Sequence, residues 1–318
     1  MLVALAGLGL LVLTLSMPAR AEDAPPAWAY AVNPPDFKPE PDDGKLRHMP
    51  DSVAGFTMTQ ARDLFFALDW HPSDHPPLPD IVAHGRKPDV MACGVCHRAD
   101  GSGGPENTSL AGLPKEYILQ QMTDFKSGTR QSSVPGRVPP QLMIKLAKAI
   151  TDVENEEAAA YFSTLRPRQN IKVVETRTVP KTRVAGWFLA ALPIGETEPI
   201  AERIIEVPED LERFHMRDAH SQFVAYVPPG SIETGRQMVT TGGAKGPPCT
   251  ICHGSALNGV GPIPGIAGRS PSYIVRQLYD FQHGNRVGPW SPLMAASVVN
   301  LTINDMIALA SYAASLPP

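Results

Sequence analysis

Met91-Ala92-Cys93-Gly94-Val95-Cys96-His97 and Pro247-Pro248-Cys249-Thr250-Ile251-Cys252-His253 constrain this 318-residue chain more than any other feature. Both contain C-x-x-C-H, and together they use all four cysteines. Two thiols three positions apart on one helical turn can each add to one vinyl group of a single haem. The adjacent His then offers an imidazole nitrogen as axial ligand. A lone copy competes with a C-x-x-C redox pair, half of a zinc site, or chance. A zinc site would need a second ligand pair near each C-x-x-C, and none is obvious. Two copies inside one longer pattern make covalent haem c the expectation. Cys93, Cys96, Cys249 and Cys252 then attach two haems, His97 and His253 bind iron, and no disulfide is expected.

The balance of 28 Lys+Arg against 32 Asp+Glu is mildly acidic and argues against a nucleic-acid surface. Residues 2–15 form an apolar run, short for a membrane span, before Ala19-x-Ala21. Residues 1–21 therefore read as a signal peptide cut before Glu22, although no Lys or Arg precedes the run. Covalent haem attachment of this kind takes place outside the bacterial cytoplasm, so leader and motif agree on a periplasmic protein. Membrane contact would come only through an uncleaved leader or a membrane-bound partner.

Residues 22–78 read as a Pro-rich N-terminal arm with one helix, at 57–70, whose apolar side is Leu64, Phe65, Leu68 and Trp70. His71 and His75 are flanked by prolines that break a helix, so they read as a solvated loop rather than a metal site.

An internal repeat organises the rest. Tyr117-Ile118-x-x-Gln121-x-x-Asp124-Phe125-x-x-Gly128-x-Arg130 matches Tyr273-Ile274-x-x-Gln277-x-x-Asp280-Phe281-x-x-Gly284-x-Arg286. The offset is 156 both for the first cysteines (249 − 93) and for the tyrosines (273 − 117). Beyond the arginines it becomes 151, pairing Met143 with Met294 and Tyr161 with Tyr312. Each unit reads helix, haem motif, Gly/Pro loop, helix, Met loop, helix, which predicts two all-α haem domains at 79–166 and 229–318. Met122 and Met306 have no methionine partner, so Met143 and Met294 are the candidate sixth ligands; gap-filling core methionines are the competing reading. A carbonyl near Gly104-Pro105 and Gly261-Pro262 is a candidate acceptor for the axial His Nδ1–H, against a plain tight turn. Arg130, Arg137, Arg286 and Trp290 are candidate haem-propionate donors, with solvated arginine as the default. Tyr161 and Tyr312 are expected to pack on the first helix of their domain. Residues 167–228 read as an inter-domain linker with β character, strand-like at 171–178, 183–191, 202–206 and 222–227, with a helical turn at 210–213. Its His215 and His220 are weaker ligand candidates than the methionines. Ser231 and Glu233 suggest a cap and first turn for the second domain.

On these motifs, over roughly 80–166 and 229–318, the chain resembles the tandem dihaem class I cytochromes c of the cytochrome c4 group. The resemblance implies a mainly α fold: two class I cytochrome c domains, here joined by a partly β linker segment. It implies two His/Met haems and an electron carrier that is not itself an enzyme. The donor would be a dehydrogenase or quinol-oxidising complex and the acceptor an oxidase or reductase. The arm at 22–78 and the sixty-odd residues between the domains depart from that group, and suggest docking surface for a specific dehydrogenase. Two alternatives stand beside the carrier: the cytochrome subunit of a periplasmic dehydrogenase complex, and a dihaem peroxidase. The latter requires an open sixth position on one iron.

Overall fold

The computed structural model describes residues 24–39 and 41–318; the leader at 1–21 lies outside them. The chain begins as an arm with one short helix, α1 (Met58–Arg62), capped by reciprocal Thr57 and Gln60 bonds. The periodicity of 57–70 predicted a longer helix. The backbone instead turns extended at Asp63 and spends its polar groups on the first domain: Ala92 N–H donates to Leu64 O, and Ala67 N–H to Ala83 O. Leu64 is exposed, while Leu68 and Trp70 pack with Met49, Met58, Ala61 and Met216.

The first haem-motif unit comprises α2 (Asp80–Ala83), α3 (Cys93–His97), α4 (Lys115–Ser127), α5 (Val138–Ala149) and α6 (Asp152–Thr164). Left-handed Gly128 ends α4, and Thr151 with Glu154 forms a capping box on α6. Their apolar faces meet around Val82, Val90, Ile118, Leu146 and Phe162.

Seven strands follow: β1 (Ile171–Glu175), β2 (Thr178–Pro180), β3 (Thr182–Val184), β4 (Leu189–Ala191), β5 (Thr197–Pro199), β6 (Ile205–Pro208) and, after helix α7 (Leu211–His215), β7 (Phe223–Val227). β7 is the centre of a three-stranded sheet, parallel to β1 and antiparallel to β6. β2–β5 and β3–β4 are small antiparallel ribbons.

The second unit is α8 (Ser231–Thr241), α9 (Thr250–His253), α10 (Pro271–Gln282), α11 (Ser291–Val298) and α12 (Ile303–Ser315). Left-handed Gly230 precedes α8, so Ser231 is its first residue rather than a side-chain cap. α8 crosses α12 with almost no gap, since a Cβ on Gly235 would stand 2.0 Å from Ala308 O. Tyr312 packs at this crossing, as expected. Its counterpart Tyr161 lies in one core cluster with Ile81 and Val82 and donates to Ala99 O, just past the first haem motif. Thr302 and Asp305 repeat on α12 the capping box of α6. Met143 and Met294, expected on loops, sit inside α5 and α11, helices opened by Pro in their first turns.

The arm is not a free extension. Ala29 and Tyr30 are buried in the second domain's core; Tyr30 donates to the Asp280 carboxylate at 2.7 Å and stands edge-on to Tyr279. His71 is also buried, contrary to the solvated loop expected for it. It bonds Asp218 at 2.9 Å and stacks on His220, rings 3.6 Å apart, while His220 bonds Asp74. The prolines flanking the histidines, Pro72, Pro76 and Pro77, break the helix, as the sequence suggested, but the segment is then gripped by the insertion.

Candidate haem centres

Each C-x-x-C-H stretch forms one helical turn, α3 or α9, and buries its histidine. His97 Nδ1 lies 2.9 Å from Thr108 O, and His253 Nδ1 lies 2.8 Å from Pro264 O. A carbonyl oxygen only accepts, so Nδ1 carries the proton in both rings and Nε2 keeps its lone pair. Both acceptors stand eleven residues after their histidine, in repeat register. They are not the Gly-Pro carbonyls that the sequence suggested, but residues three and two positions further along those loops. Burial pushes the His97 imidazole down to about 4, with the Arg98 and Arg130 charges adding; burial likewise lowers His253. Both rings are thus neutral at neutral pH.

One cavity of about 350 Å³ runs between the two domains, and His97, Met143, His253 and Met294 all border it. Cys249 and Cys252 border it too. Cys93 and Cys96 do not: Cys93 packs on the first core, and Cys96 on Ala67, Ala92 and Val95.

The arginines overturn their default. Arg130 and Arg286 are buried, and they link the two domains. Arg130 donates to Gln121 at 2.8 Å, to Gln277 at 3.1 Å and to Tyr273 at 3.0 Å. Arg286 donates to Gln277 at 3.0 Å and to Gln121 at 2.7 Å. The backbones pair between them, Gln131 N–H to Asn285 O and Val287 N–H to Thr129 O, both 2.7 Å. Exchanging the repeats maps this network onto itself, which is an isologous interface within one chain. Sequence reasoning missed it, although the signal was there: a self-complementary interface needs identical polar residues in both copies, and Gln121/Gln277 and Arg130/Arg286 are such pairs. Arg137 and Arg276 anchor the arm, donating to Ala31 O and Ala29 O, and to Glu106 O and Pro105 O. Burial, then the neighbouring Arg276 charge, pushes Arg137 down to about 8.

These residues suit a haem. The cavity is largely apolar; two neutral imidazoles and the methionines Met122, Met143, Met238 and Met294 border it, and of the four free cysteines Cys249 and Cys252 do. The guanidinium groups of Arg130, Arg137, Arg276 and Arg286 hydrogen-bond to carbonyl, amide and tyrosine oxygens rather than to carboxylates, which leaves buried cationic charge suited to propionates.

Fold and site together define a dihaem c-type cytochrome, an electron-transfer protein with two covalently bound haems c. No protein-family model matches the chain. Cytochrome c4 of Azotobacter vinelandii is 26% identical over 70% of this chain and 83% of its own length. A thiosulfate dehydrogenase electron acceptor of Thiomonas intermedia is 26% identical over 72% of this chain and 81% of its own. The solved thiosulfate dehydrogenase (TsdBA) of Marichromatium purpuratum superposes with a TM-score of 0.50 at 26% identity, covering 73% of this chain and 38% of that longer one. The chain is a homologue of the cytochrome c4 group of dihaem class I cytochromes c.

Proposed function

We propose that each domain, 79–166 and 229–318, is a class I cytochrome c unit with a closed His/Met haem, and that a partly β segment, 167–228, joins them. The observation that carries this reading is the matched pair of oriented imidazoles. His97 and His253 each donate Nδ1–H to a carbonyl eleven residues on, in a cavity that Met143 and Met294 also border. When bound, the haem supplies reversible one-electron chemistry at iron. Cys93, Cys96, Cys249 and Cys252 would tether it. His97 and His253 would bind its iron through Nε2, the rings oriented by Thr108 O and Pro264 O. Met143 and Met294 would complete the ligand set, favouring the reduced state and keeping small oxidants out. The buried arginines would offset propionate charge.

The carrier works in the periplasm, between a dehydrogenase or quinol-oxidising donor and an oxidase or reductase acceptor. Similarity to a thiosulfate dehydrogenase electron acceptor favours one second reading, a cytochrome subunit of a dehydrogenase complex. A partner that copurifies at fixed stoichiometry would select it.

Optical spectra of the oxidised and reduced protein test the ligand set. The methionine-to-iron charge-transfer band at two-haem strength, unperturbed by carbon monoxide or peroxide, is the expected result. Loss of half the band in Met143→Ala and of the other half in Met294→Ala assigns each thioether. A haem that is high-spin or binds either additive in the wild type rejects the closed carrier for that domain.

A further inference from the structure

At matched repeat positions the two haem-motif loops have opposite exposure. Val95 is 2% exposed and Ile251 69%. Gly104 is buried, whereas Val260 is 57% exposed. Cys96 and the whole run from Arg98 to Glu106 are covered or buried, while Cys252 and most of 254–262 face solvent. The cover on the first loop belongs to this chain. A Cβ on Gly94 would meet Ala67 of the arm at 2.8 Å, and one on Gly104 would meet the Phe214 ring of the insertion at 2.9 Å. The Arg98 guanidinium lies over that same ring, 5.1 Å from its centre.

The open face is also free of charge. Residues 246–268 and 287–304 contain no Asp, Glu, Lys or Arg. The matched stretches of the first domain carry Arg98, Asp100, Glu106, Arg137, Lys145, Lys148 and Asp152. Exposed Trp290 and Leu293 border the haem cavity together with Cys252, so the apolar surface runs to the edge of the site.

Resting on the dihaem reading, we propose that the second domain is the electron port: a redox protein with an uncharged, apolar docking face seats on Ile251, Val260, Trp290 and Leu293, and the first haem exchanges electrons through the second. A charged partner face would lose hydration here without gaining a counter-ion, so charge selects against it. Apolar side chains with aromatics and few charges form the core of protein interfaces. Without charged groups on this face, association is nearly independent of salt. In this arrangement the arm and insertion seal the rival port.

The test uses the full holoprotein on gold electrodes carrying methyl-terminated monolayers, which stand in for the uncharged partner face, against carboxylate- and amine-terminated ones. Fast exchange on methyl surfaces, little changed by salt, is expected. Ile251→Glu with Val260→Glu should slow it about tenfold by placing carboxylates in the contact. Val153→Glu, at an exposed apolar position of the first domain, should change nothing. Val260→Glu alone serves if the double variant fails to mature. The proposal is overturned if the glutamates leave the rate intact, if Val153→Glu is the slow variant, or if charged monolayers exchange faster with steep salt dependence. Sedimentation showing the wild-type face sealed by a second copy overturns it too. A pyridine haemochrome count separates the two claims: fewer than two haems in the wild type rejects the dihaem reading itself, whatever the electrode shows.

Discussion

The two haem-motif turns end on the same backbone conformation with different residues. Gly254 takes φ 83° where a helix exit prefers glycine, while its counterpart Arg98 takes φ 69° with a full side chain. The arginine accepts that strain and, with Glu106 and Arg217 nearby, fills the space between the motif loop and the insertion. The difference recurs at the first helix: α8 has eleven residues, α2 only four, and the arm occupies the flank that a longer α2 would cover. One domain completes itself with its own helix; the other is completed by added chain. The repeat therefore conserved ligand spacing and interface while its two copies diverged in what surrounds them.

Removing the cover should break this comparison most. Phe214 is fully buried between Phe188, Phe223 and Arg98, so Phe214→Ala should cost about 3–5 kcal/mol in denaturant unfolding. A loss near zero would mean that the insertion does not brace the first domain. In the second domain the corresponding weak point is the helix crossing. Gly235→Ala drives a methyl into Ala308 O and should cost up to about 3 kcal/mol, seen as a lower unfolding midpoint.

The shared interface should respond alike on both sides. Gln121→Ala and Gln277→Ala each leave two buried guanidinium groups short of an acceptor, for about 2 kcal/mol apiece. Unequal losses by calorimetry would show that the two-fold pattern is not energetically symmetric.

The smallest effect is the pH dependence of the arm's clasp. A hydrogen bond from His220, outweighing burial and helped by Arg168, holds Asp74 below its usual range. That contribution is present above the ordinary carboxyl range and fades as pH falls through the lowered value. Burial pushes His75 down, but Asp69 and Pro76 O more than reverse it, so its net shift is upward. That contribution is full below the ordinary imidazole range and fades as pH rises through the raised value. His71, Asp218, Arg213 and Asp100 share the cluster. Proteolytic release of the arm should be slowest between the two limits and faster on either side. A monotonic profile would contradict one of the two pairs.

Local chemistry made some of this legible in advance. The C-x-x-C-H spacing works on one helical turn, the constant offset aligned the repeat, and Met143 and Met294 do border one cavity with both histidines. Strand-like runs after residue 170 formed strands in part: 222–227 is β7 almost entire, whereas 183–191 split into β3 and β4, only the end of 202–206 joined β6, and β5 was not foreseen. The misreadings have a common physical source. The helix at 57–70, the loop around His71 and the solvated arginines were judged from neighbouring residues, but their hydrogen-bond partners lie far along the chain: Ala83 and Ala92 for the arm, Asp218 for His71, Gln277 for Arg130.

The sequence by itself determined two haem c units, their order and their likeness, since covalent attachment and ligation depend on residue type and short spacing. Only the tertiary structure decided that the repeat motif is the seam between the domains, and that one haem-motif loop is sealed and the other open. Burial of Val95 against exposure of Ile251 depends on whether distant chain packs over each turn, which no short window contains.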